Sequence, residues 1–289
     1  MSDGSVTLVG LPYDASSSFM RGPALAPPAI REALRSDASN MWSELGIDLG
    51  IGEAIRDEGD IDFPDGADER ESIEARITLI LERGERPIAL GGDHSVTYPI
   101  VRAVRRRHPR LQILHIDAHP DLYSEYEGDL YSHASPFARI MEEGLADRLV
   151  QVGIRTMNAH QRDQARRFGV EVHEMRDWRG VPPLSFDGDV YLSIDVDALD
   201  PAHAPGVSHR EPGGLTVRDV IRMVQSIDAP IAGADIVELN PRNDPHGLTA
   251  IVCAKLLKEL AGRMLLDGRA AADDLSARTV PSRNRVSNR

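Results

Sequence analysis

Seven short, almost continuously apolar runs, separated by helix-length amphipathic segments, constrain the fold of this chain more than any other feature. The runs are VTLVG (6–10), PIALGG (87–92), LQILHID (111–117), LVQVGI (149–154), VEVHEM (170–175), VYLSIDVD (190–197) and IAGADIVEL (231–239). Helical periodicity falls near 27–35, 69–83, 96–107, 135–144, 158–168, 215–226 and 248–266. Strand–helix alternation predicts an α/β fold: a single domain with a central, mostly parallel sheet and helices on both faces. Strands without polar alternation agree, because both of their faces are then covered. A chain of 289 residues suits one such domain with a sizeable core. The Gly/Asp-rich segment 53–68 reads as a surface loop. From residue 268 the apolar periodicity is lost, so the expected folded unit is 1–267, with a disordered tail over 268–289.

Lys and Arg number 33 and Asp and Glu 46, a net charge of −13. That field argues against a nucleic-acid partner and weakly favours small cations. The one cysteine, Cys253, lies in an apolar helical run and reads as a small core hydrophobe. The first residues lack the basic and apolar regions of a secretory signal, and no run approaches the length of a membrane span. The expectation is a soluble, cytoplasmic protein with no membrane partner.

The chemistry gathers where the runs end. In open α/β sheets, ligands bind beyond the carboxyl ends of the strands. Four runs end in reactive types: Asp93 and His94 in GGDHS; Asp117, His119 and Asp121 in DAHPD; Asp195, Asp197 and Asp200 in SIDVDALDP; and Glu238 in VELNP. The every-second spacing of Asp117, His119 and Asp121 places all three on one side of an extended segment. Buried carboxylates this close cannot all stay ionised unless a cation sits among them. Two His with four Asp form a mixed set that suits Mg²⁺ or Mn²⁺, with Zn²⁺, Ni²⁺ or Fe²⁺ open through the imidazoles. Six ligands suit two ions sharing carboxylates, an arrangement that activates water. His115 has the same parity but lies deeper, and reads as a core histidine. His108, His160, His173 and His246 read as surface residues.

GGDHS, DAHPD and SIDVDALDP together resemble the three signature blocks of the ureohydrolases, that is, arginases, agmatinases and their relatives. SSSFMRGPALAPPAIREAL, EGDLYSHASPFARIMEEG, QVGIRTMNAHQRDQARRFGVE and APGVSHREPGGLTVRDV are most similar to plant-type arginases and the agmatinases near them. The resemblance spans about residues 6 to 266. It implies an arginase-like fold, two Mn²⁺ ions and a homo-oligomer, trimer or hexamer. His94, Asp117, Asp121 and Asp195 would bind one ion, and Asp117, His119, Asp195 and Asp197 the other. A hydroxide bridging the ions would attack the guanidino carbon of L-arginine or agmatine, releasing urea and ornithine or putrescine. His133 would move protons, and Glu238 would hold the cationic guanidino group. Asp93 and Asp200 would support the neighbouring ligands and loops.

The far end of the substrate is less constrained. Where animal-type arginases have a carboxylate-binding Asn, this chain has Tyr123. Asn158, His209 and Arg210 are the specificity candidates, Arg210 as the partner of a substrate carboxylate. Asp129 replaces the Asn of plant-type sequences before the His133 block. The alternatives are another metal-dependent C–N hydrolase, acting on guanidinobutyrate, guanidine or formiminoglutamate, and a non-catalytic metal-binding scaffold.

Overall fold

The computed structural model describes residues 5–50, 55–64 and 66–279, with side chains described as far as residue 266. Eight strands form one sheet: β1 (Val6–Gly10), β2 (Ile55–Asp60), β3 (Arg86–Leu90), β4 (Leu111–Ile116), β5 (Arg148–Ile154), β6 (Glu171–Glu174), β7 (Asp189–Asp195) and β8 (Ile231–Val237). Their order is β2-β1-β3-β8-β7-β4-β5-β6, and every adjacent pair is parallel. The mostly parallel expectation therefore becomes an all-parallel sheet. The helices are α1 (Ala26–Leu34), α2 (Glu69–Glu82), α3 (Thr97–Arg105), α4 (Pro136–Glu142), α5 (Ala159–Phe168), α6 (Val217–Ser226) and α7 (Leu248–Thr279).

Side-chain alternation along the strands divides the apolar residues into two cores. Val6, Leu8, Leu114, Ile116, Leu192, Ile194 and Ile236 face α1, α6 and α7, where Cys253 is also buried. Val9, Leu111, Ile113, Tyr191 and Val237 face α2, α3, α4 and α5. The central strands are thus sealed on both faces, and only their ends are free to present polar groups.

Two expectations need revision. Part of the expected loop 53–68 is strand β2, which pairs in parallel with β1 at the sheet edge. Its sequence, IRDEGD, carries too much charge to read as a strand, yet charge suits an edge that must not attract another chain. Helix α7 runs past residue 267 to Thr279, so the first part of the expected tail is helical in backbone, and 280–289 lie outside the described residues.

The paired glycines of GGDHS have a steric cause. A Cβ on Gly92 would lie 1.6 Å from the Tyr13 carbonyl oxygen, and one on Gly91 would lie 2.5 Å from Val237 Cγ1. The loop after β1 thus presses directly on the end of β3. Gly92→Ala is expected to cost about 1–3 kcal/mol or more through overpacking. Gly169→Ala has open space around its Cβ and only a left-handed φ of 66° to strain, so it should cost roughly 1 kcal/mol. Urea-unfolding midpoints ranked the other way would contradict this account.

Candidate active site

Strands β3, β8, β7 and β4 are consecutive in the sheet, so their carboxyl ends form one row. Asp93 and His94 follow β3, Asp117 follows β4, Asp195 is the last residue of β7, and Glu238 follows β8. Asp93, His94 and Asp117 are completely buried, and Asp195, Asp197, Asp121 and Glu238 nearly so. The six candidate ligands and Glu238 are therefore brought to one rim, as the spacing predicts.

His94 Nδ1 lies 3.2 Å from Asp117 Oδ2, 3.1 Å from Asp121 Oδ2 and 3.1 Å from Asp195 Oδ2. It is a buried nitrogen with no hydrogen bond of good geometry. Three oxygens ringing an unsatisfied nitrogen at about 3 Å match the edge of an octahedron whose metal–ligand distance is about 2.1 Å. His119 Nδ1 repeats the arrangement, 3.1 Å from Asp197 Oδ2 and 3.4 Å from Asp117 Oδ1. The two groups share Asp117. Burial holds the Asp195 carboxyl well above its ordinary range, reinforced by the charges of Asp197 and Asp117. Burial likewise raises Asp197, with Asp117 adding to it. For Asp117, burial is outweighed by His115, His119 and His94, and its carboxyl is held well below the usual range. These residues fit a pair of divalent cations: oxygen-rich, one imidazole per site, a shared carboxylate and an orphaned imidazole nitrogen aimed at the gap.

His115 is buried beside this cluster and close enough to be counted with His94 and Asp117. Both of its nitrogens are engaged, however. Nε2 meets Asp117 Oδ2 at 2.7 Å, and Nδ1 faces the Gln151 amide at 3.0 Å. With the amide donating, Nε2 carries the proton and donates to Asp117. His115 thus steadies the shared carboxylate, a more specific place than a generic core histidine. On the other side, His94 Nε2 lies 2.9 Å from Ser193 Oγ, which donates to Asp235 at 2.7 Å. Asp235 also accepts from Thr97 and Tyr191 at 2.8 and 2.6 Å.

His133 lies in the same cavity. Its Nδ1 is 3.0 Å from Glu238 Oε1, and its Nε2 is 2.8 Å from Ser18 Oγ. Burial disfavours the charged ring, but Glu238 overcomes this and holds the His133 pKa up to about 9. Glu238 Oε1 also accepts from the His94 backbone N–H at 2.9 Å. Asp93 caps the turn that begins at His94 and, through Oδ2, accepts from Ser16 N and Ser17 Oγ. Asp200 organises its loop by accepting from Ala202, Gly213 and Gly214 N–H groups.

A cavity of about 330 Å³ opens from this rim, lined further out by Tyr123, Tyr126, Thr156, Gln161, His209 and Glu211. His209 stacks on the His133 ring at 5.3 Å, and burial lowers its pKa. Asn158 is not in the lining. Its Oδ1 caps α5 in a capping box with Gln161, and its amide donates to Tyr123 Oη at 2.6 Å. Arg210 must be corrected as a carboxylate partner: its guanidinium turns outward to the Pro205 and Asn243 carbonyls at 2.8 and 3.2 Å. Asp129 accepts from Tyr131 N at 2.8 Å. Glu211 and Ser18 escape the sequence reading. The acid in REPGG was a visible signal for the first, whereas Ser18 has none beyond a run of serines.

The Arginase family model matches residues 4–262. A mitochondrial Arginase 1 of Arabidopsis thaliana is 47% identical over 277 residues, covering 90% of this chain and 81% of that one. An agmatinase of Bacillus anthracis is 32% identical over 267 residues, 89% of this chain and 91% of its own. The solved arginase of Medicago truncatula superimposes with a TM-score of 0.86 at 44% identity, covering 91% of this chain and 88% of that one. The plant relatives from Arabidopsis thaliana, Medicago truncatula and Oryza sativa are named mitochondrial, which overturns the cytoplasmic expectation. That expectation rested on features that do not set a compartment, since targeting segments are removed and lie outside the folded domain. The chain belongs to the arginase family.

Proposed function

We propose that this ureohydrolase cleaves the guanidino group of L-arginine to urea and ornithine, with two divalent cations, Mn²⁺ by preference, held at the strand ends. The observation that carries the reading is the pair of His–carboxylate groups sharing Asp117, set beside Glu238 and His133 in one cavity. His94, Asp117, Asp121 and Asp195 would hold one cation, and Asp117, His119, Asp195 and Asp197 the other. When bound, the cations supply the Lewis acidity that makes water nucleophilic near neutral pH.

The chain's own residues do the rest. Glu238 is pre-aimed by the His94 backbone N–H and accepts paired N–H bonds from the guanidinium fork. This orients the guanidino carbon toward the cluster. His133, charged at neutral pH, donates a proton to the departing amine. The walls nearest the cluster are made by residues fixed at strand ends, so the donor and the guanidinium clamp are placed before substrate enters.

At the outer end no Lys or Arg is among the described residues lining the cavity, while Glu211 is. An acid there suits the α-amine of arginine and equally the terminal amine of agmatine, so agmatine is the second substrate reading. The Tyr126 hydroxyl is a neutral donor available to a carboxylate, whereas the Thr156 hydroxyl donates to the Ala118 carbonyl at 3.2 Å. A homo-oligomer, trimer or hexamer, completes the proposal on the family resemblance.

Three outcomes are expected. Mn²⁺-loaded protein releases urea from arginine, and Asp117→Ala lowers that rate by at least about a hundredfold while binding fewer than two metal ions per chain; full activity in the variant would sink the shared-ligand assignment. Glu211→Gln raises KM roughly three- to tenfold for arginine and agmatine but leaves guanidinobutyrate, which lacks an amine, unchanged; equal effects on all three would remove Glu211 from recognition. The third concerns pH. Because the folded-state pKa of His133 is raised, its stabilising contact with Glu238 is complete below about 6.5 and is lost as pH rises through about 9. The Tm difference between wild type and His133→Gln should shrink over that window; a difference that grows with pH would reverse the sign.

A further inference from the structure

The loop between β1 and α1 reaches into the site at one point. Its backbone is seated by two contacts with the end of β3: Asp93 N donates to the Tyr13 carbonyl at 2.8 Å, and Ser16 N donates to Asp93 Oδ2 at 3.0 Å. Ser17 Oγ adds a third bond to the same carboxylate at 3.2 Å. The close approach over Gly92 leaves this segment no room to shift. The loop then takes hold of His133 twice. The His133 backbone N–H donates to the Ser16 carbonyl at 3.2 Å, and its Nε2 meets Ser18 Oγ at 2.8 Å. With Nδ1 on Glu238, both ring nitrogens are held by protein groups. Glu238 and Ser18 both line the cavity, but Glu238 is nearly fully buried and bonded to the His94 backbone, whereas Ser18 is only partly buried and carries a hydroxyl open to cavity water.

We propose that Ser18 is a positioning residue for His133, and that its hydroxyl is the route by which His133 exchanges a proton with water in the cavity. The inference rests on the reading of His133 as the proton donor. The charged ring donates Nδ1–H to Glu238 and Nε2–H to Ser18 Oγ, which fixes the ring plane. In the relay, Nε2–H breaks as Ser18 Oγ takes that proton, and Ser18 passes its own hydroxyl proton to a cavity water. The serine is regenerated, His133 becomes neutral and water becomes hydronium; the reverse sequence reloads the ring after it has protonated an amine. Nothing is oxidised or reduced. The groups facing His133 are Glu238 on its Nδ1 side, His209 stacked on the ring, and the charges of Asp121 and Asp93 nearby.

The test compares wild type, Ser18→Ala and Ser18→Thr. In the Mn²⁺-loaded proteins, Ser18→Ala should lower kcat for urea release roughly tenfold, a part of what a positioned proton donor supplies. KM should change less than twofold. Thr should restore most of the rate, and added imidazole should raise kcat of Ser18→Ala but not of wild type. In the diamagnetic Mg²⁺-loaded proteins, the ¹⁵N resonance of His133 Nε2, assigned by His133→Gln, should move in the Ala variant and return in the Thr variant. A kcat of Ser18→Ala within twofold of wild type, or a fall in kcat with the His133 resonances unmoved, would overturn the proposal. If wild type releases urea from no guanidino compound while the Nε2 resonance still responds to Ser18→Ala, the substrate reading fails and the positioning of His133 stands.

Discussion

Crowding carboxylates of one sign at the ends of four adjacent buried strands is the constraint around which the rest of the structure is arranged. Each acid divides its two oxygens between two tasks. Asp117 Oδ1 accepts from His119 N at 2.6 Å, Asp195 Oδ1 from Asp197 N at 2.8 Å, and Asp197 Oδ1 from Ala118 N at 3.3 Å. The other oxygen of each is turned toward His94 or His119. Backbone N–H groups thus tie down one oxygen of each of these three acids; the other faces a histidine of the cluster, and on Asp117 it also accepts from His115. Without a cation, burial would drive protons onto some of these acids, as the raised positions of Asp195 and Asp197 indicate. Anchoring one oxygen of each of these acids limits the reorganisation that binding a cation requires.

Beneath this row lies a layer that sequence spacing does not announce. His94 is held from behind by Ser193, and Ser193 by Asp235; Asp117 is held by His115, and His115 by Gln151. Each histidine presents one nitrogen to a carboxylate and has the other committed. Two site residues also carry left-handed backbone, Asp121 at φ 47° and Glu238 at φ 66°. Such conformations cost of order 1–3 kcal/mol and persist where surrounding contacts over-determine them. For Glu238 those contacts are visible: its N–H donates to Gly92 O at 2.9 Å, and its carboxylate accepts from His94 N. The left-handed turn carries the Glu238 side chain out of the line of β8 toward His94 and His133.

The sheet and the inner site are readable in the sequence because both follow from short-range rules. Parallel strands buried on both faces are mostly apolar, so the runs stand out. Their ends must hold whatever chemistry there is, so Asp117, His119, Asp195 and Asp197 announce themselves by position. Edge strand β2 is not readable, because IRDEGD carries the charge that protects an edge and resembles a loop for that reason. Arg210 misleads for a different reason. A cation in a loop beside the site is an obvious partner for a carboxylate, but side-chain direction in a loop is set by tertiary contacts, here two backbone carbonyls on the outer surface. Ser18 is invisible because its partner lies 115 positions away, and the seating of the loop after β1 on Gly92 and Asp93 brings the two together.

The same division separates reaction from substrate. Every group proposed to act on the guanidino carbon sits on a strand end or is bonded to one: Glu238 to His94, His133 to Glu238 and to the loop held by Asp93. The residues that line the outer part of the cavity sit on loops or a helix's first turn, Tyr123 and Tyr126 after β4, Gln161 at the start of α5, and His209 and Glu211 before α6. Loops tolerate change that a packed parallel sheet does not. A fold built this way can keep one bond-breaking geometry while its outer walls are exchanged, and this chain has relatives named arginase and agmatinase, at 47% and 32% identity. Tyr123 illustrates the coupling between the halves: Asn158 fixes its hydroxyl while capping α5, so a residue outside the cavity sets the shape of its wall.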